Sequence, residues 1–182
     1  GLGAKVNILD INAERLRYLD DIMPPNVSTL YSNNHNILQL LPKTDLLIGA
    51  VLVVGAKAPN LVNKSMLSLM EKKSVIVDVA VDQGGCVETC KPTTHKNPTY
   101  EVDGITHYCV ANMPGAVPYT STLALSNSTF KYIYKLANNP LRKNLSKVGE
   151  LRTGLNIYQG SITHNAVAES FNLPYSELDS VI

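Results

Sequence analysis

The chain has 182 residues, 16 Lys and Arg against 15 Asp and Glu, a formal charge of +1, and 45% hydrophobic content. That length and apolar share rule out a disordered chain and allow one or two domains with a sizeable core. The near-neutral balance speaks against a nucleic-acid or polybasic membrane partner, and two Phe, nine Tyr and no Trp speak against a base-stacking platform.

Ala4 to Leu9 reads as a short buried strand that Asp10 closes. Asn12 is placed to cap a helix carrying Leu16, Leu19 and Ile22, with Arg15 and Arg17 toward solvent and Pro24-Pro25 ending it. Val27 to Tyr31 is a second strand, and Asn33 to Leu41 a short helix broken at Pro42. Asp45 to Val54 (DLLIGAVLVV) begins as a third strand, apolar enough to be covered on both faces. It is also the region of the longest apolar run, interrupted by Gly49 and far short of a membrane span. Asn63 to Met70 suggests another helix, Ser74 to Ala80 another strand, and Ile105 to Val110 a last one. Strands alternating with short helices predict an α/β fold with a doubly wound parallel sheet.

From Pro114 the texture changes. Val117 to Asn138 lacks glycine and suits one long helix after Pro118, with Asn139-Pro140 as its stop. Leu141 to Val148 and Thr163 to Phe171 read as shorter helices. This tail has too few apolar residues for a core of its own and is expected to pack on something else. The expected division is therefore 1–116, a partial nucleotide-binding domain, and 117–182, a long connecting helix with a helical tail.

Three cysteines, Cys86, Cys90 and Cys109, cannot all pair within one chain, which points to reduced thiols and a cytoplasmic protein. No signal-peptide pattern opens the chain, so the sequons at Asn26, Asn63, Asn127 and Asn144 read as chance. The run Cys86-x3-Cys90-x4-His95, with His107 beyond, has a spacing zinc tolerates but lacks a second cysteine pair; thiols near a surface loop explain it better, and no metal is expected. His35 and His164 have no visible partner and read as incidental.

Four segments can carry chemistry. Asp10 ends a strand where doubly wound folds place the acid that accepts from the adenosine ribose hydroxyls, or it is an ordinary strand-to-helix aspartate. Gly49, at the end of the third strand, would let a ribose or nicotinamide approach the backbone, or simply mark a turn. In Asp78 to Gly85 (DVAVDQGG), Asp78 falls inside the apolar run as a structural carboxylate, while Asp82 lies beyond it, where a carboxylate exchanges protons or holds a water, or the run is a capped turn using Gly84-Gly85. In Val110 to Pro118 two prolines stiffen the loop, and Asn112 offers both a donor and an acceptor for a carboxamide or carboxylate, or the loop is a plain interdomain turn.

The strings ILDIN with Glu14-Arg15-Leu16, IGAVLVVGAKAPNLV, VIVDVAVDQGG, PTTHKNPTY, VANMPGAVPYTSTLALSN, GLNIYQG and AVAE run through essentially the whole chain. Together they resemble the alanine dehydrogenases, enzymes that interconvert L-alanine and pyruvate with NAD. The resemblance implies a Rossmann-like sheet and NAD as cofactor. It implies Asp10 as the ribose acid, with Arg15 and Ser32 near the adenosine, and Val51 and Leu52 in the loop beside the cofactor. Val79, Ala80, Val81 and Asp82, with Val110, Ala111, Asn112 and Met113, match segments around the nicotinamide; Lys91 falls where the family often has an Arg. Asp82 matches the catalytic carboxylate. The family also implies a homo-oligomer, a hexamer.

The family's Gly-rich turn and first strand, and its amino-terminal substrate domain, have no counterpart here. Nine residues before Asp10 leave no room for that turn, and Gly1-Leu2-Gly3 precedes a strand instead of a helix. The expectation is a carboxyl-terminal portion of the enzyme, inactive and weakly NAD-binding alone. A transhydrogenase-like NAD-binding subunit and a non-catalytic assembly module are the alternatives.

Overall fold

In the computed structural model, residues 1–146 and 149–182 are described. β1 (Val6–Asp10) leads into α1 (Ala13–Ile22), which starts where the Asn12 side chain accepts from the Arg15 N–H at 3.0 Å. α1 buries only Leu16 and Leu19, ends before Pro24-Pro25, and returns the chain to β2 (Val27–Tyr31), parallel to β1 with Asp10 opposite Tyr31. α2 (Asn34–Leu40) is capped by Asn33 and continues through Pro42 as a 3-10 turn, Leu41–Lys43, because proline at the start of a turn gives up no needed N–H.

The second sheet has the order β3-β4-β6-β5, from β3 (Leu46–Gly49), β4 (Val75–Asp78), β5 (Thr99–Val102) and β6 (Ile105–Tyr108). β3, β4 and β6 are parallel, whereas β5 is antiparallel to β6. The sequence reading had no β5. It is joined to β6 by Asp103-Gly104, both at positive φ (53° and 84°), the mirror-image turn that two-residue hairpins require. The third strand is also shorter than its apolar run: after Gly49 the chain leaves the ladder, and the Val51 N–H points to the Cys86 sulfur at 3.4 Å. Asn63–Met70 forms a 3-10 helix, Lys64–Leu69, with the Asn63 side chain on the Met66 N–H.

The core under this sheet is built from Leu41, Val62, Met66, Leu67, Met70, Ile76, Val87 and Ile105, with Ile37 and Leu38 of α2 packed against it. In the doubly wound order 3-2-1-4-5-6, β2 and β1 take the outer places of one half, and β3, β4 and β6 those of the other. Among the described residues β1 pairs only with β2, and β3 pairs only with β4. Leu46 and Ile48, on the same face of β3, are 53% and 58% exposed, so the described residues leave that face uncovered although its sequence suits coverage on both faces.

The tail begins with α3 (Pro118–Asn138), as the glycine-free stretch predicts, yet none of its residues is buried. α4 (Leu141–Ser146) occupies the first part of the helix expected over Leu141 to Val148; Lys147 and Val148 lie outside the described residues. α5 (Glu150–Thr153) follows, then a hairpin of β7 (Ile157–Tyr158) and β8 (Ser161–Ile162) that was not anticipated. α6 (Asn165–Phe171) and α7 (Leu178–Val181) complete the chain. An apolar hollow of about 440 Å³ lies between α3, α4 and α5, lined by Leu136, Leu141, Leu145, Leu151 and Leu155. No helix among the described residues is long and apolar enough to cross a membrane.

Candidate active site

Parallel pairing brings the carboxyl ends of β3, β4 and β6 to one edge, since Gly49 lies opposite Asp78 and Val77 opposite Tyr108. The loops leaving these ends are where open α/β sheets bind ligands. The loop after β3 and the turn after β4 are zipped together. Val79 N–H donates to Gly49 O (2.8 Å), Ala58 N–H to Gln83 O (2.8 Å), and Leu61 N–H to Cys86 O (2.8 Å). Ala58, Ala80 and Cys86 pack with Val51 in a small core between them.

The organiser of this turn is Asp78. Its carboxylate is wholly enclosed (0% exposed) and accepts from three backbone N–H groups: Ala80 (3.0 Å), Cys86 (2.7 Å) and Val87 (3.2 Å). A buried carboxylate is tolerable only with such donors. The structural role expected for it is what the geometry shows. Gly49 serves the same purpose. A Cβ there would sit 3.0 Å from the Cys86 Cβ and 3.2 Å from an Asp78 oxygen, so the missing side chain makes room for the turn and not for a ligand.

Held in this way, the 3-10 turn Val81–Gln83 presents Asp82 to solvent while Ala80 and Val81 are buried and Val79 is half exposed. Val51 is half-buried and Leu52 is exposed on the facing loop. On the loop after β6, Val110 is buried, Ala111 and Met113 are half-buried, and Asn112 is exposed at φ 59°. His95 fixes that loop, its Nε2 lying 3.0 Å from the Asn112 carbonyl. The Thr93–Thr94–His95 segment thus braces the Asn112 loop, a link the linear reading missed.

Asp10 and Ser32 meet at the ends of β1 and β2, with Ser32 N–H on the Asp10 carbonyl (2.9 Å). One Asp10 carboxylate oxygen accepts from Asn12 N–H at 2.8 Å, and its second oxygen takes part in no described hydrogen bond. Arg15 is exposed on α1 with its guanidinium 5.0 Å over the Tyr18 ring. Lys91 lies against Tyr100: its N–H donates to the hydroxyl (2.8 Å), and its Nζ is 4.8 Å from the ring centre.

The cysteines and His107 have separate partners. His107 is buried with one ring nitrogen at Thr89 Oγ1 (2.8 Å) and the other at Ile105 O (3.0 Å). Cys90 and the Tyr100 hydroxyl pull the Cys109 thiol down to about 7 against the opposing effect of burial, and the Cys90 thiol is pushed up by Cys109. Among the described residues no group of three His, Cys, Asp or Glu side chains could hold a metal.

The tail also reaches the site. His164, read as incidental from sequence, sets its ring against Gly55 in the loop after β3. Its Nδ1 and the Gln83 side-chain oxygen are the two buried polar side-chain atoms without a partner among the described residues. No local signal marks this contact, because the two partners are joined only by the tertiary fold.

The site fits a nicotinamide dinucleotide in part. Asp10 has an oxygen to offer a ribose, and three exposed loops border the sheet edge where the ring would lie. Among the described residues no Gly-rich turn joins a strand to a helix to hold the pyrophosphate.

Comparison with known proteins bears on the fold and the family. The family described as "Alanine dehydrogenase/PNT, C-terminal domain" matches residues 1–165. Alanine dehydrogenases of Halomonas elongata and Methanococcus maripaludis are each 50% identical to the chain over its whole length, which spans 49% of theirs. A solved L-alanine dehydrogenase superposes with a TM-score of 0.78 at 52% identity, over 94% of this chain and 47% of that one. A transhydrogenase from Sinorhizobium meliloti, at 22% identity and a TM-score of 0.65 over 90% of this chain and 43% of that one, shares the fold. The chain thus spans about half the length of the relatives it matches, has a Rossmann-type α/β fold, and belongs to the alanine dehydrogenase/PNT carboxyl-terminal domain family.

Proposed function

We propose that this chain is the dinucleotide-binding portion of an NAD-dependent alanine dehydrogenase, acting on L-alanine and pyruvate. The observation that carries the reading is the Asp78-clamped turn, which presents Asp82 at the sheet edge between the Val51–Leu52 loop and the Asn112 loop. When bound, the nicotinamide supplies hydride transfer. The chain's own residues bind, orient and move protons. Asp10 accepts from the adenosine ribose and disfavours a 2′-phosphate there, with Ser32 and Arg15 beside it. Val51, Leu52, Val79, Ala111 and Met113 offer apolar walls that exclude water, backed by the buried Ala80, Val81 and Val110, and Lys91 adds positive charge at the rim. Asn112 orients a carboxamide through its amide. The Asp82 carboxylate takes and returns protons as the substrate carbon changes from amine to ketone.

The remaining proposals follow the same reading. Residues 1–116 form the nucleotide-binding part, and 117–182 a connecting helix and tail. The unburied α3 suits packing against further protein, consistent with a homo-oligomer of hexameric type. Three free thiols suit the cytoplasm. The test is Asp82→Asn in the full-length enzyme, with alanine oxidation and dinucleotide binding measured side by side. Turnover should fall by about 100-fold or more with binding retained. Near wild-type turnover would refute the assignment of Asp82.

A further inference from the structure

Three layers meet beside the proposed catalytic turn. The innermost is the turn itself, whose Gln83 carbonyl accepts from the Ala58 N–H at 2.8 Å. The second is the loop 55–58, tied to the turn by that bond and by the Lys57 stem, which lies across Gly84 where a Cβ would come within 2.5 Å of it. The third is the tail: the His164 ring covers Gly55 so closely that a Cβ there would clash with it, two ring nitrogens lying at 3.0 and 3.1 Å from its position. Gly55 has φ 72°, and the residue just before α6 therefore touches the backbone of a loop far away in sequence.

We propose that His164 is a positioning residue, which clamps loop 55–58 from the tail side and through it holds the turn that presents Asp82. The ring does this by shape. Its Nδ1 is buried with no hydrogen-bond partner among the described residues, so no polar contact at that nitrogen keeps it in place. An apolar ring of similar outline should therefore serve as well, which separates this role from a proton-transfer or ligand-binding histidine. That the held turn is catalytic rests on the function proposed above; the clamp itself does not. The two ideas fail in different experiments.

The experiment is amide hydrogen exchange on the 182-residue chain, read at Ala58 in the loop, at Ile76 and Val77 in β4, and at Leu173, whose N–H donates to Ala168 O (2.9 Å) and reports on α6. His164→Ala should speed exchange at Ala58 by about tenfold and leave Ile76 and Val77 unchanged. His164→Phe should stay within about twofold of wild type. Gly55→Ala, which pushes a methyl into the ring, should also speed Ala58, and by less when His164→Ala has already removed the ring. This last pair keeps the test decisive if His164→Ala alone loosens α6 at Leu173. Equal Ala58 exchange in wild type and His164→Ala overturns the proposal, as does a Gly55→Ala effect of the same size with and without the ring.

Discussion

Replacing Asp78 by Asn tests whether one buried carboxylate organises the turn that carries Asp82. Cys86 and Val87 N–H converge on one carboxylate oxygen and Ala80 N–H meets the other. Asparagine keeps the shape but only one acceptor. With its oxygen turned to Cys86 and Val87, its NH2 group opposes the Ala80 N–H, and the remaining bonds lose their charge assistance. Losing one charge-assisted bond costs about 1.5–3 kcal/mol, and the opposed donors bring the total to about 3 kcal/mol. That is a large part of a stability of ~5–15 kcal/mol, yet leaves a folded protein. Asp78→Ala orphans all three donors at about 1–3 kcal/mol each and should leave little folded chain. Urea unfolding followed by circular dichroism reads both. At an m-value of ~2 kcal/mol/M, Asp78→Asn should lower the midpoint by ~1.5 M. A shift of under ~0.3 M would mean that the turn is held by its other contacts, and the organising role of Asp78 would be wrong.

Asp10→Asn keeps an oxygen for the Asn12 N–H, so α1 should remain intact, while NADH affinity drops by about tenfold and the preference over NADPH narrows; fluorescence titration with both nucleotides reads this, and unchanged discrimination would remove the ribose role. Thiol titration with an aromatic disulfide should modify Cys90 first in the native chain, because Cys86 and Cys109 are 2% and 0% exposed, but slowly, because its thiol is pushed up, and reach all three only in denaturant. Rapid labelling of Cys109 under native conditions would contradict the enclosure seen around it. Sedimentation of the chain alone should show self-association at micromolar concentration. The described sheets have unpaired strand edges, those of β1 and β3 among them, and α3 exposes Tyr119, Leu125, Phe130 and Ile133. A clean monomer at all concentrations would mean that these surfaces are better protected in solution.

The parts of the fold that were legible are those whose physics is local. Asn12 was legible as a cap and accepts from the Arg15 N–H; Asn33 and Asn63, which the sequence reading placed inside their helices, accept from the N–H three residues on in the same way. Pro24-Pro25 and Asn139-Pro140 ended helices where they stand, because a proline ring excludes the helical conformation just before it. Asp78 and Asp82 were told apart by the same kind of argument: one inside an apolar run, the other past its end. The β5–β6 hairpin was missed although Asp103-Gly104 is a strong turn signal. Its first strand, Thr-Tyr-Glu-Val, alternates exposed and half-buried residues at a sheet edge and lacks the continuous apolarity that marked the central strands.

What sequence could not show are contacts made by closure of the fold. The expected strand over Asp45 to Val54 illustrates the limit: Leu46 to Val54 share one apolar character, but only Leu46–Gly49 enter the ladder. The next residues are claimed by partners from the following loop, Val51 by the Cys86 sulfur and Ala58 by Gln83. Gly49 stayed open between room for a ligand and a plain turn for the same reason. Its empty side could be assigned only once Asp78 and Cys86 were seen to fill it. His164 carries the point furthest, since a histidine without a local partner says nothing in sequence, and its meaning arises from a glycine in another layer of the molecule. Apolarity and turn chemistry therefore placed the loops at one sheet edge, whereas the side chains that hold those loops rigid belong to long-range packing. A candidate site of this kind is read in two stages: the groups that do chemistry come from local pattern, and the groups that position them come from the assembled fold.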